Sequence, residues 1–480
     1  MGTFYVENFG CRATQADGAA IERQFRERGL ERAGGPGEAE IVVLNTCTVT
    51  AAADQDARAA IRRILRENPG CQIVVTGCYA QRAPEELAAL PGVSRVIGNS
   101  HKHQLAEIAT AGPENLEPRR AQRTAAEGAE GFVPLSVLIA GRQRPTTNDP
   151  RPIFVSDIFA HTELLAAPVF DAANERTRPN LKVQDGCDNR CSFCVIPYVR
   201  GQSRSLKLEG VLREVDGLVE AGYREVVISG INLGRWGRDF DKPLRFETLV
   251  RTILEQTSLE KLRISSVEPM DWSDELIRLV AESPRIAKHA HVPMQSGSDR
   301  VLRAMHRKYR PWHYREKILR IRKAMPTAAI GADVMVGFPG ETAADFEETR
   351  RMVEELPFTY LHVFTYSARP GTPAAAMRDQ VPVQVARQRN GVLRELVSEK
   401  KLTFMRSFVG QTVEAITLTV FDAEFTEALT DNYLKLRLRG RHESNRWITA
   451  EVGQVQDGAL VGAACSVADA ANHVPQPVMG

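Results

Sequence analysis

The order of apolar and polar positions divides the first 110 residues into short buried strands that alternate with helices. Four apolar runs predict strands at 3–6, 41–44, 73–76 and 96–97. Helical periodicity lies between them, from about Asp17 to Arg28 and from about Ala51 to Glu67. Such alternation predicts a parallel sheet, and ligands of parallel sheets bind beyond the carboxyl ends of the strands.

The middle of the chain repeats this alternation. Each strand-like run is followed by a loop and a helix-compatible segment, and the runs occur at 181–183, 226–229, 262–265, 290–292, 330–334 and 361–366. Successive strand–helix units predict a partial (β/α)6 barrel, whose functional residues lie on the loops after the strands.

The pattern changes on both sides of this barrel. Residues 111–178 are rich in Pro, Arg, Ala and Thr, which favours a linker, although the apolar runs 133–139 and 153–158 could pair as strands. Near the end of the chain, short strand patterns separated by Gly and Asp predict a small all-β module. We therefore predict an α/β protein divided at 1–110, 111–178, 179–405 and 406–480.

Composition narrows the class of protein. The chain has 480 residues, of which 43% are hydrophobic and 25% charged, as in soluble globular proteins of several domains. The net charge of +2 means that a nucleic-acid surface needs local clusters of Lys and Arg. Eight cysteines are too few for a disulfide scaffold, and no apolar run reaches the roughly 20 residues that span a bilayer. With no apolar signal region after Met1, we expect a cytoplasmic protein, without a membrane partner, whose reduced thiols can bind metal.

The loop after the first barrel strand carries Cys187, Cys191 and Cys194. This spacing lets three thiolates bind three irons of a 4Fe-4S cluster and leaves the fourth iron open to a chelating small molecule. A zinc knuckle is the alternative, but structural zinc prefers two separated pairs of ligands. With Phe193 before the last cysteine, residues 186–194 resemble the signature of radical S-adenosylmethionine (SAM) enzymes.

Three further cysteines, Cys11, Cys47 and Cys78, each follow a predicted strand of the first domain. They should meet at the carboxyl edge of that sheet, so we expect them to bind a second cluster with one open iron. Three separately buried structural cysteines are the alternative. Cys71 precedes its strand and Cys465 lies far along the chain, so we expect neither to be a ligand.

The remaining barrel loops combine glycines with polar residues, a composition that predicts a ligand site at that face of the barrel. His289 and His291 alternate along one strand, and we expect them to be structural rather than acid–base groups. In the C-terminal module, an alternating strand buries leucines and presents basic residues to RNA, while an adjacent aromatic ring stacks on a base. The residues expected to bind RNA are Tyr433, Lys435, Arg437 and Arg439. A solvated strand face is the alternative.

Three segments resemble the N-terminal domain of the methylthiotransferases, namely 10–11, 45–50 and 76–81. In that family the domain holds an auxiliary 4Fe-4S cluster. The family usually has an asparagine three residues after the first cysteine, where this chain has Thr14. Residues 430–433 resemble the start of the TRAM domain, a small RNA-binding β-barrel.

The resemblance implies two 4Fe-4S clusters and SAM as cofactors, and it implies that Gly230, Glu268, Gln295 and Ser296 line the SAM site. It implies an enzyme that uses two SAM molecules. One methylates a sulfur at the auxiliary cluster, and the other yields a 5'-deoxyadenosyl radical that abstracts hydrogen from C2 of a modified adenosine beside a tRNA anticodon. The implied partners are tRNA, a low-potential electron donor such as flavodoxin or ferredoxin, and a sulfur source.

Segments 45–50 and 194–205 look most like the branch that acts on threonylcarbamoyladenosine. Two other branches of the family stay open, one for isopentenyladenosine and one for a ribosomal-protein aspartate. A noncatalytic iron–sulfur protein that binds RNA stays open as a different class.

Overall fold

In the computed structural model, which describes residues 2–111, 152–161, 164 and 178–465, the first domain is a six-stranded parallel sheet of order β2-β1-β3-β4-β5-β6. The strands are β1 Thr3–Asn8, β2 Glu31–Arg32, β3 Ile41–Thr46, β4 Gln72–Gly77, β5 Val93–Gly98 and β6 Ile153–Phe154. The helices are α1 Arg12–Glu27, α2 Ala51–Glu67, α3 Cys78–Arg82, α4 Pro84–Ala88 and α5 Leu105–Thr110. Every residue of β3 is buried, because helices cover both faces of the sheet.

Strand β6 comes from the predicted linker. It pairs with β5 in parallel, so this short piece of 111–178 completes the edge of the first sheet. The apolar run 133–139 lies outside the described residues. Linker composition did not reveal the pairing, because a two-residue strand at a sheet edge leaves almost no periodic signal.

The central domain is the predicted curved parallel sheet with surrounding helices. Its strands are β7 Asn180–Asp185, β8 Arg204–Ser205, β9 Glu225–Gly230, β10 Lys261–Ile264, β11 His289–His291, β12 Ala329–Val336 and β13 Tyr360–Thr365. They form two sheets of order β10-β9-β7-β8 and β11-β12-β13, which parallel bridges such as Ser266–His291 join. Only β8 runs antiparallel, at the edge beside β7.

Helices follow the barrel strands and cover the outer face of the sheet. They are α6 Ile196–Arg200, α7 Leu208–Glu220, α8 Phe246–Gln256, α9 Asp274–Glu282, α10 Asp299–Ala304, α11 Pro311–Ala324, α12 Ala343–Glu355 and α13 Val383–Arg406. Leu181 and Val183 pack with these helices in the large hydrophobic core. Because side chains alternate along a strand, Lys182 and Gln184 point to the inner side of the barrel, and both are fully buried.

The C-terminal module is a closed five-stranded barrel of order β14-β15-β16-β18-β17. Its strands are β14 Thr412–Phe421, β15 Phe425–Thr430, β16 Lys435–Arg439, β17 Trp447–Gln456 and β18 Ala459–Ala464. Leu436 and Leu438 of β16 are fully buried in its core, as the alternating pattern predicts. Among the described residues, no helix is long and apolar enough to cross a membrane.

Candidate functional site

The loop after β7 holds Cys187, Cys191 and Cys194 at the carboxyl end of the barrel. Gly186 begins the loop with φ of +71°, and a Cβ there would overlap the backbone of Gln202, so only glycine fits. The backbone N–H of Cys187 donates to the carbonyl of Gly201 at 3.0 Å, and that of Cys194 donates to the carbonyl of Cys191 at 3.1 Å. The loop therefore holds its three thiols in a fixed turn.

Two thiols of this loop need a metal to ionise at neutral pH. Burial, followed by the neighbouring thiol of Cys191, raises the pKa of Cys187 to about 11 and that of Cys194 to about 12. Bound iron would remove that penalty by neutralising the thiolates. The donor set fits a cluster held by three thiolates.

Arg307 and Glu268 lie beside this loop. The guanidinium of Arg307 donates through Nη1 to the Sγ of Cys191 at 3.2 Å and pairs through Nη2 with the Glu268 carboxylate. Both residues line a small open pocket that also reaches Cys191. Burial alone would lower the pKa of Arg307, yet Tyr309, Glu268 and Cys191 raise it, which keeps the cation charged next to the thiols.

The second set of thiols meets at the carboxyl edge of the first sheet. Cys11 precedes α1, Cys47 follows β3, and Cys78 begins α3 after β4. A Cβ on Gly10, where φ is +101°, would lie 2.6 Å from the Cβ of Cys47, so glycine is needed for the close approach of these two loops. Burial, and then Cys78, raise the pKa of Cys47 to about 12, so this thiol also needs a metal to ionise at neutral pH.

Polar side chains approach the second set of thiols. The Nδ2 of Asn99 donates to the Sγ of Cys78 at 3.7 Å, and the hydroxyl of Thr14 lies 3.6 Å from the Sγ of Cys11. Thr14, at the position where the family usually has asparagine, therefore still offers a polar atom to the thiol. The residues present fit a second cluster, with hydrogen bonds to its ligands.

Neither set of thiols is arranged for one metal ion. In the described part of the chain, the only three potential ligands with donor atoms within 4.8 Å of one another are His291, Asp333 and His362. Zinc–thiolate bonds of about 2.3 Å would bring the sulfur atoms that share one ion closer together than this limit. The wider spacing of both cysteine sets disfavours the zinc knuckle and leaves room for a larger cofactor.

The residues expected to line a SAM site lie on the loops at the same barrel face. Gly230 ends β9, where a Cβ would lie 2.8 Å from the carbonyl oxygen of Gln184. Gln295 adopts a left-handed backbone with φ of +62°. The hydroxyl of Ser296 is buried and lies 3.2 Å from that of Thr349, so this side chain fixes the loop rather than facing a cavity.

A buried ionic group joins the two cysteine sets. Asp17 of α1 accepts hydrogen bonds from Lys102, Lys182 and Arg200, and Arg200 also donates to Asp185 at 2.9 Å. Burial would raise the pKa of Asp17, but these three cations hold it well below its usual range. The carboxylate thus stays charged between the first domain and the cysteine loop.

The residues expected to bind RNA divide into two groups. Lys435 and Arg439 are exposed on β16, while Arg437 pairs with Asp422 at 3.2 Å and lies over the ring of Phe425. Tyr433 is turned inward, because its ring stacks on His289 of the central barrel at 4.9 Å between centroids. Its ring is therefore not open for stacking on the outer face of the module.

Sequence patterns did not single out Arg307 or the group around Asp17. Alternation along β7 could have indicated Lys182, since a charged residue between buried leucine and valine must face the inner side of the barrel. Arg307 has no such signal, because it lies after α10, 116 residues away from Cys191 in the chain. Only the closed fold brings the two together.

Comparison with known proteins agrees with this geometry. Residues 3–98 match the family described as "Uncharacterized protein family UPF0004", and residues 181–353 match the radical SAM superfamily. A solved structure of the radical S-adenosylmethionine methyltransferase TsrM from Kitasatospora setae has a TM-score of 0.53 at 17% identity, over 78% of this chain and 77% of that chain. This likeness shows a shared fold.

Curated proteins are similar over almost the whole length. The "Threonylcarbamoyladenosine tRNA methylthiotransferase MtaB" of Bacillus subtilis is 35% identical over 92% of both chains. The protein of the same name from Aquifex aeolicus is 34% identical over 92% of this chain and 98% of its own. The "tRNA-2-methylthio-N(6)-dimethylallyladenosine synthase" of Saccharopolyspora erythraea is 34% identical over 96% of this chain and 87% of its own.

Proposed function

The chain belongs to the radical SAM tRNA methylthiotransferases, and we propose that it inserts a methylthio group at C2 of N6-threonylcarbamoyladenosine next to the anticodon of tRNA. Four relatives that carry the threonylcarbamoyladenosine name share 31–35% identity with it. The single structural observation that carries the proposal is the Asp17 group, because it ties two sets of three cysteines to each other across a domain boundary.

Membership of the radical SAM superfamily gives the chain SAM and one 4Fe-4S cluster as cofactors. When bound, they supply a carbon-centred radical that abstracts hydrogen from the substrate. Cys187, Cys191 and Cys194 are the residues that would hold this cluster, and Arg307 places a cation and an N–H donor at the Sγ of Cys191. Glu268 orients Arg307, and both line the adjoining cavity, where polar groups of SAM can be bound.

We assign the second cluster to Cys11, Cys47 and Cys78. The burial of Cys47 and Cys78, the hydrogen bond from Asn99 and the nearby cations Lys102 and Arg200 support this assignment. These groups exclude water and compensate the charge of the thiolates.

The substrate is tRNA, and we assign its contact surface on the C-terminal barrel to the TRAM-like face that carries Lys435, Arg437 and Arg439. Their positive charge is suited to a phosphate backbone. A low-potential electron donor such as flavodoxin or ferredoxin, and a sulfur source, complete the reaction. A noncatalytic RNA-binding protein would have no need of the cavity beside Cys191, where the buried Arg307 pairs with the half-buried Glu268.

Relatives that act on dimethylallyladenosine are almost as similar, so identity alone does not choose the substrate. The polar inner face of the barrel favours the threonylcarbamoyl group. His291, Asp333 and Tyr360 line it, whereas an isopentenyl group has only carbon and hydrogen to offer them.

Mass spectrometry of tRNA nucleosides tests the proposal. Cells that lack this chain should lose 2-methylthio-N6-threonylcarbamoyladenosine and accumulate the unmethylthiolated nucleoside, and the wild-type chain should restore the product. The matched control is 2-methylthio-N6-isopentenyladenosine in the same digests, which should not change. Loss of the isopentenyl product alone would reject the substrate assignment, and unchanged nucleosides would reject the function.

A further inference from the structure

The inner face of strands β11–β13 presents an interlocked group of polar rings. The hydroxyl of Tyr360 lies 2.6 Å from the Nε2 of His289 and 2.9 Å from the Nδ1 of His291. The Tyr360 ring crosses β12 over Gly331, where any Cβ would overlap it. Asp333, two residues further along β12, lies 3.2 Å from His291. We call these side chains the polar wall. Glycine at 331 is therefore a requirement of this polar wall.

Tyr433 closes one end of the wall from the C-terminal barrel. It lies in the turn between β15 and β16 with φ of +71°, and its ring stacks on His289. Its hydroxyl accepts a hydrogen bond of 2.7 Å from the Nη2 of Arg12, which follows Cys11 in the first domain. All three domains thus meet at Tyr433, at the amino ends of β11 and β13, where His289 and Tyr360 lie.

Positive charge at this point exceeds negative charge. The guanidinium groups of Arg178 and Arg263 lie 5.7 Å and 4.8 Å from the Tyr433 ring centre, and Arg12 contacts its hydroxyl. Glu225 is the carboxylate beside them, and it pairs closely with Arg263 at 2.6 Å but only at 3.8 Å with Arg178. Among the described residues, Arg178 therefore has only this long contact with a carboxylate that it shares with Arg263, and Arg12 donates to the Tyr433 hydroxyl rather than to a carboxylate.

Three further observations agree with a group of cations that nearby carboxylates compensate only in part. The Nε of Arg178 is buried without a hydrogen-bond acceptor in the described structure. Burial lowers the pKa of Arg178, as expected for a cation that is removed from water with too little opposite charge. Burial would raise the pKa of Tyr433, but Arg12, Arg178 and Arg263 lower it. Burial raises the pKa of Asp431, on the same turn, and Lys261 opposes this rise more than Arg263 does.

The cationic group lies on the side of the barrel away from the cysteine loop. The reacting C2 of adenine has to face the cysteine-bearing carboxyl end of the barrel, and the bonds at C2 and C6 diverge around the six-membered ring. The N6 substituent therefore extends away from the reacting carbon, and we place it along the inner face toward the amino ends of β11 and β13. A threonylcarbamoyl group carries a free carboxylate and a hydroxyl, whereas an isopentenyl group is neutral and apolar.

We propose that Arg12, Arg178 and Tyr433 form a subsite that binds the carboxylate of an acyl substituent on N6 of the target adenosine. This inference rests on the proposed function and names what selects its substrate. The two guanidiniums donate to the carboxylate, and the Tyr433 hydroxyl fixes Arg12 in place. An isopentenyl group would place an apolar chain against these cations without offering them a charge, which disfavours it at the site.

Binding of three anticodon stem-loops to the reconstituted full chain tests the subsite. The loops carry threonylcarbamoyladenosine, its methyl ester, or unmodified adenosine, and Kd is measured by fluorescence anisotropy without SAM. The wild-type chain should bind the acid roughly tenfold or more tightly than the ester, because only the acid offers a charge to the guanidiniums. Arg12→Gln and Arg178→Gln should bring this ratio close to one, while binding of the unmodified loop stays the same.

Two controls separate a subsite from general electrostatics or misfolding. Arg26→Gln removes an exposed arginine of the same helix α1, which pairs with Glu22, and it should keep the wild-type ratio. Arg12→Lys should keep part of the ratio because it retains the charge. Arg12 is exposed, so its replacement tests the subsite even if Arg178→Gln does not fold.

An equal Kd of the wild-type chain for acid and ester, or a wild-type ratio in Arg12→Gln, would overturn the subsite. Turnover of the same loops tells this failure from that of the proposed function. If the wild-type chain methylthiolates the acid while Arg12→Gln discriminates as well as wild type, only the subsite is wrong. If the wild-type chain prefers the acid but never methylthiolates it, the proposed function is wrong and the subsite stands.

Discussion

Asp17 and Arg200 meet at 3.0 Å in the buried boundary between the first domain and the barrel. Asp17 lies on the helix that begins after Cys11, and Arg200 ends the helix that follows Cys194. Arg200 also binds both carboxylate oxygens of Asp185, two residues before Cys187. The two cysteine sets are therefore held at a fixed separation by charges that are closed off from solvent.

Replacement of Asp17 by alanine should destabilise the chain by roughly 3–5 kcal/mol, because it leaves Lys102, Lys182 and Arg200 buried with too little opposite charge. Thermal unfolding measures the change. Asp56→Ala removes an exposed aspartate of α2 and should shift stability by less than about 0.5 kcal/mol. Equal melting temperatures for the two variants would contradict the role of this ionic group.

His289 should make stability depend on pH. Burial, and then the charges of Arg263 and His291, lower the pKa of His289 well below its usual value. In the unfolded chain His289 is protonated below about pH 6.5, whereas in the folded chain it stays neutral there. The stability that the neutral histidine gives is therefore complete above that pH and is lost as the pH falls below it. Between pH 6.5 and 5.5 the folded state loses about 1 kcal/mol of stability from this residue.

Thermal unfolding at a series of pH values measures this effect. His289→Gln should reduce the loss of stability below pH 6.5, whereas His313→Gln, at an exposed position, should lose as much as the wild-type chain. An equally steep loss of stability in His289→Gln would assign the pH dependence to other groups.

Arg307 should raise the reduction potential of the cluster held by Cys191. Its cation and its N–H group favour the more negative reduced state. Arg307→Gln should lower the midpoint potential by on the order of 50 mV, equivalent to a tenfold change for one electron. Redox titration followed by electron paramagnetic resonance measures it, with Arg303→Gln on the exposed face of α10 as the control. An unchanged potential in Arg307→Gln would show that the contact has no influence on the cluster.

Lys435 and Arg439 should contribute to tRNA affinity without reading its sequence. The double variant Lys435→Gln/Arg439→Gln should weaken binding of different tRNAs to a similar extent and reduce the slope of log K against log salt by about two. The matched control is Arg441→Gln with Arg446→Gln, since Arg446 pairs with Glu443 and Arg441 lies over Phe421. A slope that falls only in the control would place the RNA surface elsewhere on the barrel.

The sequence allowed the architecture to be predicted because most elements have strong periodic patterns. The helix 51–67 and the barrel strands occur where apolar spacing indicates them, and the cysteines follow the strand ends. Tyr433 shows the limit of that reasoning. It directly precedes the basic strand β16, yet its ring stacks on His289. With φ of +71° in a tight turn, its side chain does not follow the alternating in-and-out pattern of the strand. Contacts between distant domains, such as Arg12 with Tyr433, have no periodic signal.

The division of labour between the two cysteine sets is the central claim, and product analysis of two variants tests it most directly. The reconstituted chain is incubated anaerobically with SAM, a strong reductant, sulfide and tRNA that carries threonylcarbamoyladenosine. Cys187→Ala should form neither 5'-deoxyadenosine nor the methylthio nucleoside, and Cys71→Ala should form both. Cys47→Ala should still form 5'-deoxyadenosine but no methylthio nucleoside. Loss of both products from Cys47→Ala, or retention of the methylthio nucleoside, would contradict the account.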